Sequence, residues 1–236
     1  MATQQLRATL KSLANKEIAA TSQRFFKTGP GEYGEGDVFI GVRVPELRKL
    51  AKKCSAFSIE QTTELLHSKI HEERLLAILI WINQYPKADI VLQNDIYSTY
   101  LANTAYINNW DIVDISAPHI VGAYCYDKRR IAPLNKLVKS CDIWERRIAI
   151  MASFYHIRQN QFEPTLKLAK GLLNDEHDLI HKAVGWMIRE IGKRDMKTAE
   201  DFLKKHYQTM PRTMLRYAIE HFPNRKRQAY LKGTVT

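Results

Sequence analysis

Apolar residues recur every three or four positions along most of this chain, the spacing that lines one face of an α-helix. Leu6, Leu10 and Leu13 with Ile18 predict a first amphipathic helix. Phe25 and Phe26 belong to a second, which stops at Lys27-Thr28-Gly29-Pro30. The segment Gly29-Pro30-Gly31-Glu32-Tyr33-Gly34-Glu35-Gly36-Asp37 is the most loop-like in the chain. It reads as a flexible connector, with a flap beside a ligand as the alternative. It lacks the Gly-Lys-Ser/Thr ending of a phosphate loop. Phe39-Ile40-Gly41-Val42-Arg43-Val44 re-enters the core, and Pro45 suits the first position of a helix running to Lys53. Further helices are expected over Ile59 to Leu66, Glu72 to Gln84, Ala88 to Leu101, Asn109 to Val121, Ile131 to Lys139, Trp144 to Gln159, Phe162 to Leu173, Leu179 to Lys193, Lys197 to His206 and Arg212 to Glu220. Strand-like alternation bounded by hairpin turns is absent. The expected fold class is all-α.

A repeat sits on this pattern. Arg74-Leu75-Leu76-Ala77, Arg147-Ile148-Ala149, Lys182-Ala183-Val184 and Arg216-Tyr217-Ala218 each place a basic residue ahead of small and apolar ones. The steps are 73, 35 and 34 residues, and the midpoint of the first is Trp110. A unit of about 36 residues with two helices predicts stacked antiparallel pairs, a right-handed α-solenoid of HEAT-like repeats. Trp110, Arg147, Lys182 and Arg216 would then line one concave, basic groove. Residues 1–236 are read as a single domain, with 29–37 as its flexible loop and 223–236 as a basic tail.

Charge narrows the partner. The chain has 36 Lys and Arg against 25 Asp and Glu, a net charge of +11 over 236 residues. Residues 182–236 hold thirteen basic and five acidic residues, and so contribute +8. Lys128-Arg129-Arg130 forms a second cluster in an expected loop. Such charge fits a surface tracking a phosphate backbone. Nucleic acid is preferred to membrane, because no basic amphipathic helix carries an exposed Trp/Phe/Leu face. The longest apolar run, Leu75 to Ile82, is too short to span a bilayer. Without a signal-peptide layout, the protein is expected in the cytoplasm. Cys54, Cys125 and Cys141 make no CxxC and read as reduced core residues.

Candidate chemistry centres on Trp110-Asp111-Ile112-Val113-Asp114. On a helix Trp110 and Asp114 share a face one turn apart, while Asp111 points about 100° away. An indole face beside a carboxylate suits a cation. Lys182, Trp186 and Arg189 likewise share a face. Trp81 and Trp144 read as core, whereas Trp110 and Trp186 each have charged neighbours that a buried stripe would avoid. His67-x-x-x-His71 and His177-x-x-x-His181 have metal-ligand spacing but lack the inner Glu of HExxH and any third ligand. Neither a metal nor a cofactor is expected.

Trp110-Asp111-x-x-Asp114, Trp144-x-x-Arg147 and Lys182-Ala183-x-Gly185-Trp186-x-x-Arg189-Glu190, with Phe39-Ile40-Gly41-Val42-Arg43-Val44-Pro45-Glu46 before them, resemble the motifs of the AlkD-type DNA alkylation repair proteins. These are HEAT-repeat glycosylases that excise alkylated purines. The resemblance runs in order from about Phe25 to His221. It implies that Asp114 is the catalytic carboxylate, that Trp110 and Trp186 contact the lesion nucleotide, and that Arg147 grips backbone phosphate. It also puts Lys182 and Arg189 on the DNA-facing surface, to which charge adds Arg216, Arg129 and Arg130. Where the family's best-known form has an N-terminal tyrosine, this chain is expected to have Phe25. The expected activity is hydrolysis of the N-glycosidic bond of cationic N3- or N7-alkylated purines in duplex DNA, by a monomer without an obligate protein partner. The alternatives are a non-catalytic binder of damaged or branched DNA and a protein-interaction scaffold.

Overall fold

The computed structural model describes residues 3–235, so the outermost ends of the expected domain lie outside the described residues. All regular structure among them is helical, apart from one isolated parallel bridge between Val38 and Ile70. The chain divides into two compact units, Met1–Ser116 and Ala117–Thr236.

The first unit contains α1 (Thr3–Ser12), α2 (Lys16–Phe25), α3 (Val44–Lys53), α4 (Ile59–Leu66), α5 (His71–Gln84), α6 (Ile90–Ala102) and α7 (Trp110–Ser116). Helix α5 is its centre. Every residue from His71 to Trp81 is buried, and α3, α4 and α7 pack around it. A helix apolar on nearly all sides must be enclosed in this way. The Trp81 indole donates to Thr62 Oγ1 at 2.7 Å, so the largest core side chain leaves no orphaned donor. The expected first helix through Ile18 is instead two. The Asn15 side chain accepts from Glu17 and Ile18 N–H groups and starts α2 afresh.

The glycine-rich segment is tied down rather than open. Glu32 and Glu35 accept from the Gly29 and Gly31 amides at 3.0 and 2.9 Å, and Asp37 is buried. Beyond it Gly41 has φ +82°, and a Cβ there would lie 2.0 Å from the Asn15 carbonyl oxygen. This turn aims the Ile40, Gly41 and Val42 amides at the Glu72 carboxylate, with distances of 2.7–3.3 Å. A buried carboxylate is thereby satisfied without a cation.

The second unit contains α8 (Ala123–Asp127), α9 (Ala132–Leu137), α10 (Ile143–Arg158), α11 (Glu163–Gly171), α12 (Asp178–Gly192), α13 (Met196–His206), α14 (Arg212–Ala218) and α15 (Asn224–Lys232). Helix α10 packs on α12, and α12 on α14; α9 and α11 flank α10, while α11 and α13 flank α12. This is solenoid-type layering, a row of second helices covered by first helices. Close approach within the row depends on Gly185, where a Cβ would meet the Met214 carbonyl oxygen at 2.4 Å.

Three expectations change from α7 onward. Helix α7 stops at Ser116, and a π-helical stretch spans Pro118–Gly122, because Pro118 has no N–H to continue an α-ladder. The expected tail contains α15, anchored by Tyr230, whose ring meets Tyr207 and Phe222 edge-on. Cys54 and Cys125 are buried as expected, but Cys141 is exposed. Among the described residues no helix is long and apolar enough to cross a membrane.

Candidate functional site

Helix α7 is short, so its start must be fixed from outside. Asn109, fully buried, accepts from the Trp110 amide at 2.8 Å and donates to Asp37 Oδ2 at 3.2 Å. Asp111 then reaches His71 Nε2 at 2.8 Å, and the other ring nitrogen, Nδ1, reaches Asp37 Oδ2 at 3.0 Å. Arg74 Nη2 closes the cluster on Asp37 Oδ1 at 2.6 Å. With Asp37 and Asp111 ionised and His71 and Arg74 protonated, the cluster is neutral overall. The His71 pKa reflects opposed effects: burial pushes it down, but hydrogen bonds to Asp111 and Asp37 prevail and lift it to about 9. Asp37 is held below the usual carboxylate range; burial opposes this, but His71 and Arg74 outweigh it.

An aromatic ladder rises from this cluster. Phe39 stacks on His71 at 4.4 Å, Phe26 on Phe39 at 5.0 Å, and Phe26 on Trp110 at 5.2 Å between centroids. Phe25 meets Trp110 edge-on at 5.8 Å and is 62% exposed. The Trp110 indole N–H donates to the Tyr33 hydroxyl at 3.2 Å. Thus the flat ring contact falls to Phe26 rather than Phe25, and a phenolic hydroxyl reaches Trp110 from the glycine-rich loop. Helix α2, which carries Phe25, buries none of its residues.

Trp110 and Asp114 are both half-buried, one helical turn apart on α7. The two carboxylates of this stretch are therefore in different situations. Both are half-buried; Asp111 pairs with His71, and the Asp114 charge acts on the buried Tyr100 hydroxyl. Tyr100 is raised above the ordinary phenol range, chiefly by burial and secondarily by Asp114.

In the second unit Arg147, Lys182 and Arg216 each lie four residues after the first residue of α10, α12 and α14, so the repeat register is real. Their depths differ. Arg147 is 4% exposed and donates to the Leu179 carbonyl. Lys182 is half-buried and paired with Asp178 at 2.6 Å, while Arg216 is exposed. Trp186 is half-buried, donates to Glu190 at 3.1 Å, and lies 6.3 Å from the Phe154 ring. The Arg158 guanidinium stands 4.5 Å over that same ring. Arg189 is ion-paired with Glu220. Arg129 and Arg130 are exposed in the loop after α8, as expected.

Sequence reasoning missed the Asp37, His71, Arg74 and Asn109 cluster. A signal was present: His71-Glu72-Glu73-Arg74 is a polar block opening the most apolar helix of the chain. Spacing presents His71 as a metal-ligand candidate, whereas both its nitrogens hold carboxylates. Among the described residues no group of three or more His, Cys, Asp or Glu is arranged to hold a metal ion.

The model of one protein family, described as DNA alkylation repair enzyme, matches residues 6–222. Three solved structures share the fold. A predicted DNA alkylation repair enzyme from Enterococcus faecalis is 18% identical over 89% of this chain and 97% of its own, with a TM-score of 0.68. AlkD2 from Streptococcus mutans is 15% identical over 89% of this chain and 99% of its own, with a TM-score of 0.57. The protein smu.31 from Streptococcus mutans UA159 is 17% identical over 92% of this chain and 96% of its own, with a TM-score of 0.53. No curated protein sequence matches. With a buried polar cluster fixing the Trp110–Asp114 turn and a family match across nearly its whole length, the chain belongs to the DNA alkylation repair enzyme family.

Proposed function

We propose that the protein is a monofunctional DNA glycosylase that hydrolyses the N-glycosidic bond of cationic N3- or N7-alkylated purines in duplex DNA. The observation that carries this reading is the division of labour on α7. Asp111 pairs with His71 across the core, while the half-buried Asp114 shares a face with Trp110 one turn away. A carboxylate retained on a protein of net charge +11 repels phosphate, so affinity for DNA does not explain it.

The chemistry follows from the charge of the lesion. The C1′–N bond breaks with its electron pair passing to the purine, which becomes neutral and leaves. The sugar is left as an oxocarbenium-like cation. Asp114 stabilises that cation and orients the water that adds to C1′, whose proton passes to the carboxylate or to solvent. The Trp110 ring face, held by Phe26 and Tyr33, adds attraction for the positive sugar or base. Trp186 is assigned to the lesion nucleotide, and Lys182, Arg189 and Arg216 to the DNA backbone.

The test is release of methylated bases from alkylated duplex DNA by wild type and Asp114→Asn. Excision should fall by about 10²-fold or more, as when a single electrostatic stabiliser of a transition state is removed, while duplex binding persists. Absence of release by wild type would eliminate the enzymatic reading in favour of a binding-only protein. Excision of a neutral lesion such as uracil at a comparable rate would remove the requirement for a cationic base.

A further inference from the structure

The second unit contains a cavity of ≈ 580 Å³ between the loop that follows α8 and the turn that leads from α10 into α11. Tyr126, Asp127, Arg129, Arg130, His156 and Gln161 contribute its polar lining. Three observations converge there. Neither Arg129 nor Arg130 makes an ion pair or side-chain hydrogen bond among the described residues, whereas Arg146 and Arg189 of the same unit are both paired with carboxylates. His156 is only 5% exposed, yet neither ring nitrogen makes a hydrogen bond of normal geometry, with only a marginal approach from the Gln161 side chain. Helix α11 begins at this turn without a side-chain cap from Phe162, although Pro164 has no amide to offer and Glu163 places a carboxylate in the first turn. A buried imidazole with both nitrogens unsatisfied costs stability unless something polar arrives to pair with it.

We propose that this cavity is a binding site for a phosphate group, gripped by the Arg129 and Arg130 guanidinium forks and hydrogen-bonded by His156. Two unpaired forks match the oxygen edges of a phosphate. The helix terminus adds a partial positive charge, offset in part by Glu163 in its first turn. Asp127 is the one carboxylate in the lining, and two arginines outweigh it. Tyr126, in edge-to-face contact with His156 at 5.5 Å between ring centroids, closes one wall. This assignment does not depend on the glycosylase reading.

His156 reports on occupancy. Burial pushes its pKa below the ordinary histidine range, against a weaker hydrogen-bonding effect of the Gln161 side chain, so burial favours the neutral ring. An anion bound beside it must raise that pKa. The experiment follows the His156 imidazole by NMR, assigned with His156→Gln, while inorganic phosphate is added against sodium chloride of equal ionic strength. A saturable shift and a raised His156 pKa are expected with phosphate alone. Arg129→Ala/Arg130→Ala should weaken phosphate binding by about tenfold or more, the loss of charge-assisted hydrogen bonds.

Two further titrations separate the sources of the phosphate. A short duplex with 5′-hydroxyl ends that moves His156 identifies a backbone diester. Movement only with the 5′-phosphorylated duplex identifies a strand terminus, and movement with inorganic phosphate alone identifies a free small anion. No saturable shift with any probe, an equal shift with chloride, or a shift untouched in the double variant would overturn the site.

Discussion

His71 lies between two carboxylates with a guanidinium beyond one of them, and this fixes how its proton is linked to stability. Its pKa rises from 6.5 unfolded to about 9 folded. The stabilisation is therefore fully present below pH 6.5 and is lost as pH climbs through 9, on the order of 3 kcal/mol in total. Denaturant midpoints should fall between pH 7 and pH 9.5, and His71→Gln should flatten that fall. A midpoint equally alkaline-sensitive in the variant would remove His71 as its source. The candidate site was half legible at this scale. Trp110 and Asp114 can be read from i, i+4 spacing alone. The fate of Asp111 cannot, because its partner is 40 residues away and becomes visible only when α5 and α7 are packed.

Among the elements, α12 has the tightest constraint. Gly185→Ala would drive a methyl against the Met214 carbonyl oxygen and Tyr217 Cβ, now 2.4 and 2.6 Å from the Cβ position. Neither is the tip of a flexible side chain, so α14 must move, at about 1–3 kcal/mol. The melting temperature should drop by several degrees; an unchanged value would show that α14 moves freely. Helix existence was legible for most segments because the period of the core face is intrinsic to each, but α8 and α15 lay outside the expected helices. Helix ends were less so. Asn15 restarts the chain as α2 with a side-chain cap that apolar spacing does not register. Arg225-Lys226-Arg227 reads as a solvated run, yet α15 is held by buried Tyr230, by the Lys226–Glu200 pair and by the Arg212 bond to the Leu231 carbonyl. Pro118 ends α7 within a pattern that otherwise continues to Val121.

For the whole molecule, a net charge of +11 overstates what is available to a polyanion. Lys182, Arg189, Lys193 and Lys197 are already paired with Asp178, Glu220, Glu190 and Asp201. Arg216 is exposed and Arg147 is buried, so the two should respond differently to truncation. Arg216→Ala should weaken DNA binding across sequences and lower the slope of log affinity against log salt by about 1. Arg147→Ala should instead cost about 1.5–3 kcal/mol of stability through the lost bond to the Leu179 carbonyl. Binding isotherms at several salt concentrations, set beside thermal melts, separate the two effects. A salt slope changed only by Arg147→Ala would reverse the assignment.

The Asp37–His71–Asp111 bridge also bears on the order of events in folding. Its members come from three segments separated by 34 and 40 residues, and each must shed its water before the others can compensate it. A cluster with that requirement gains nothing from partial assembly, so it should close after the folding barrier has been crossed. Asp111→Asn would then hasten unfolding and leave the refolding rate nearly unchanged, a displacement confined to one limb of the chevron. The hydrogen bonds that aim the Trp110–Asp114 turn would thus act as a latch on the finished first unit, setting how long the native state persists rather than how quickly it is reached.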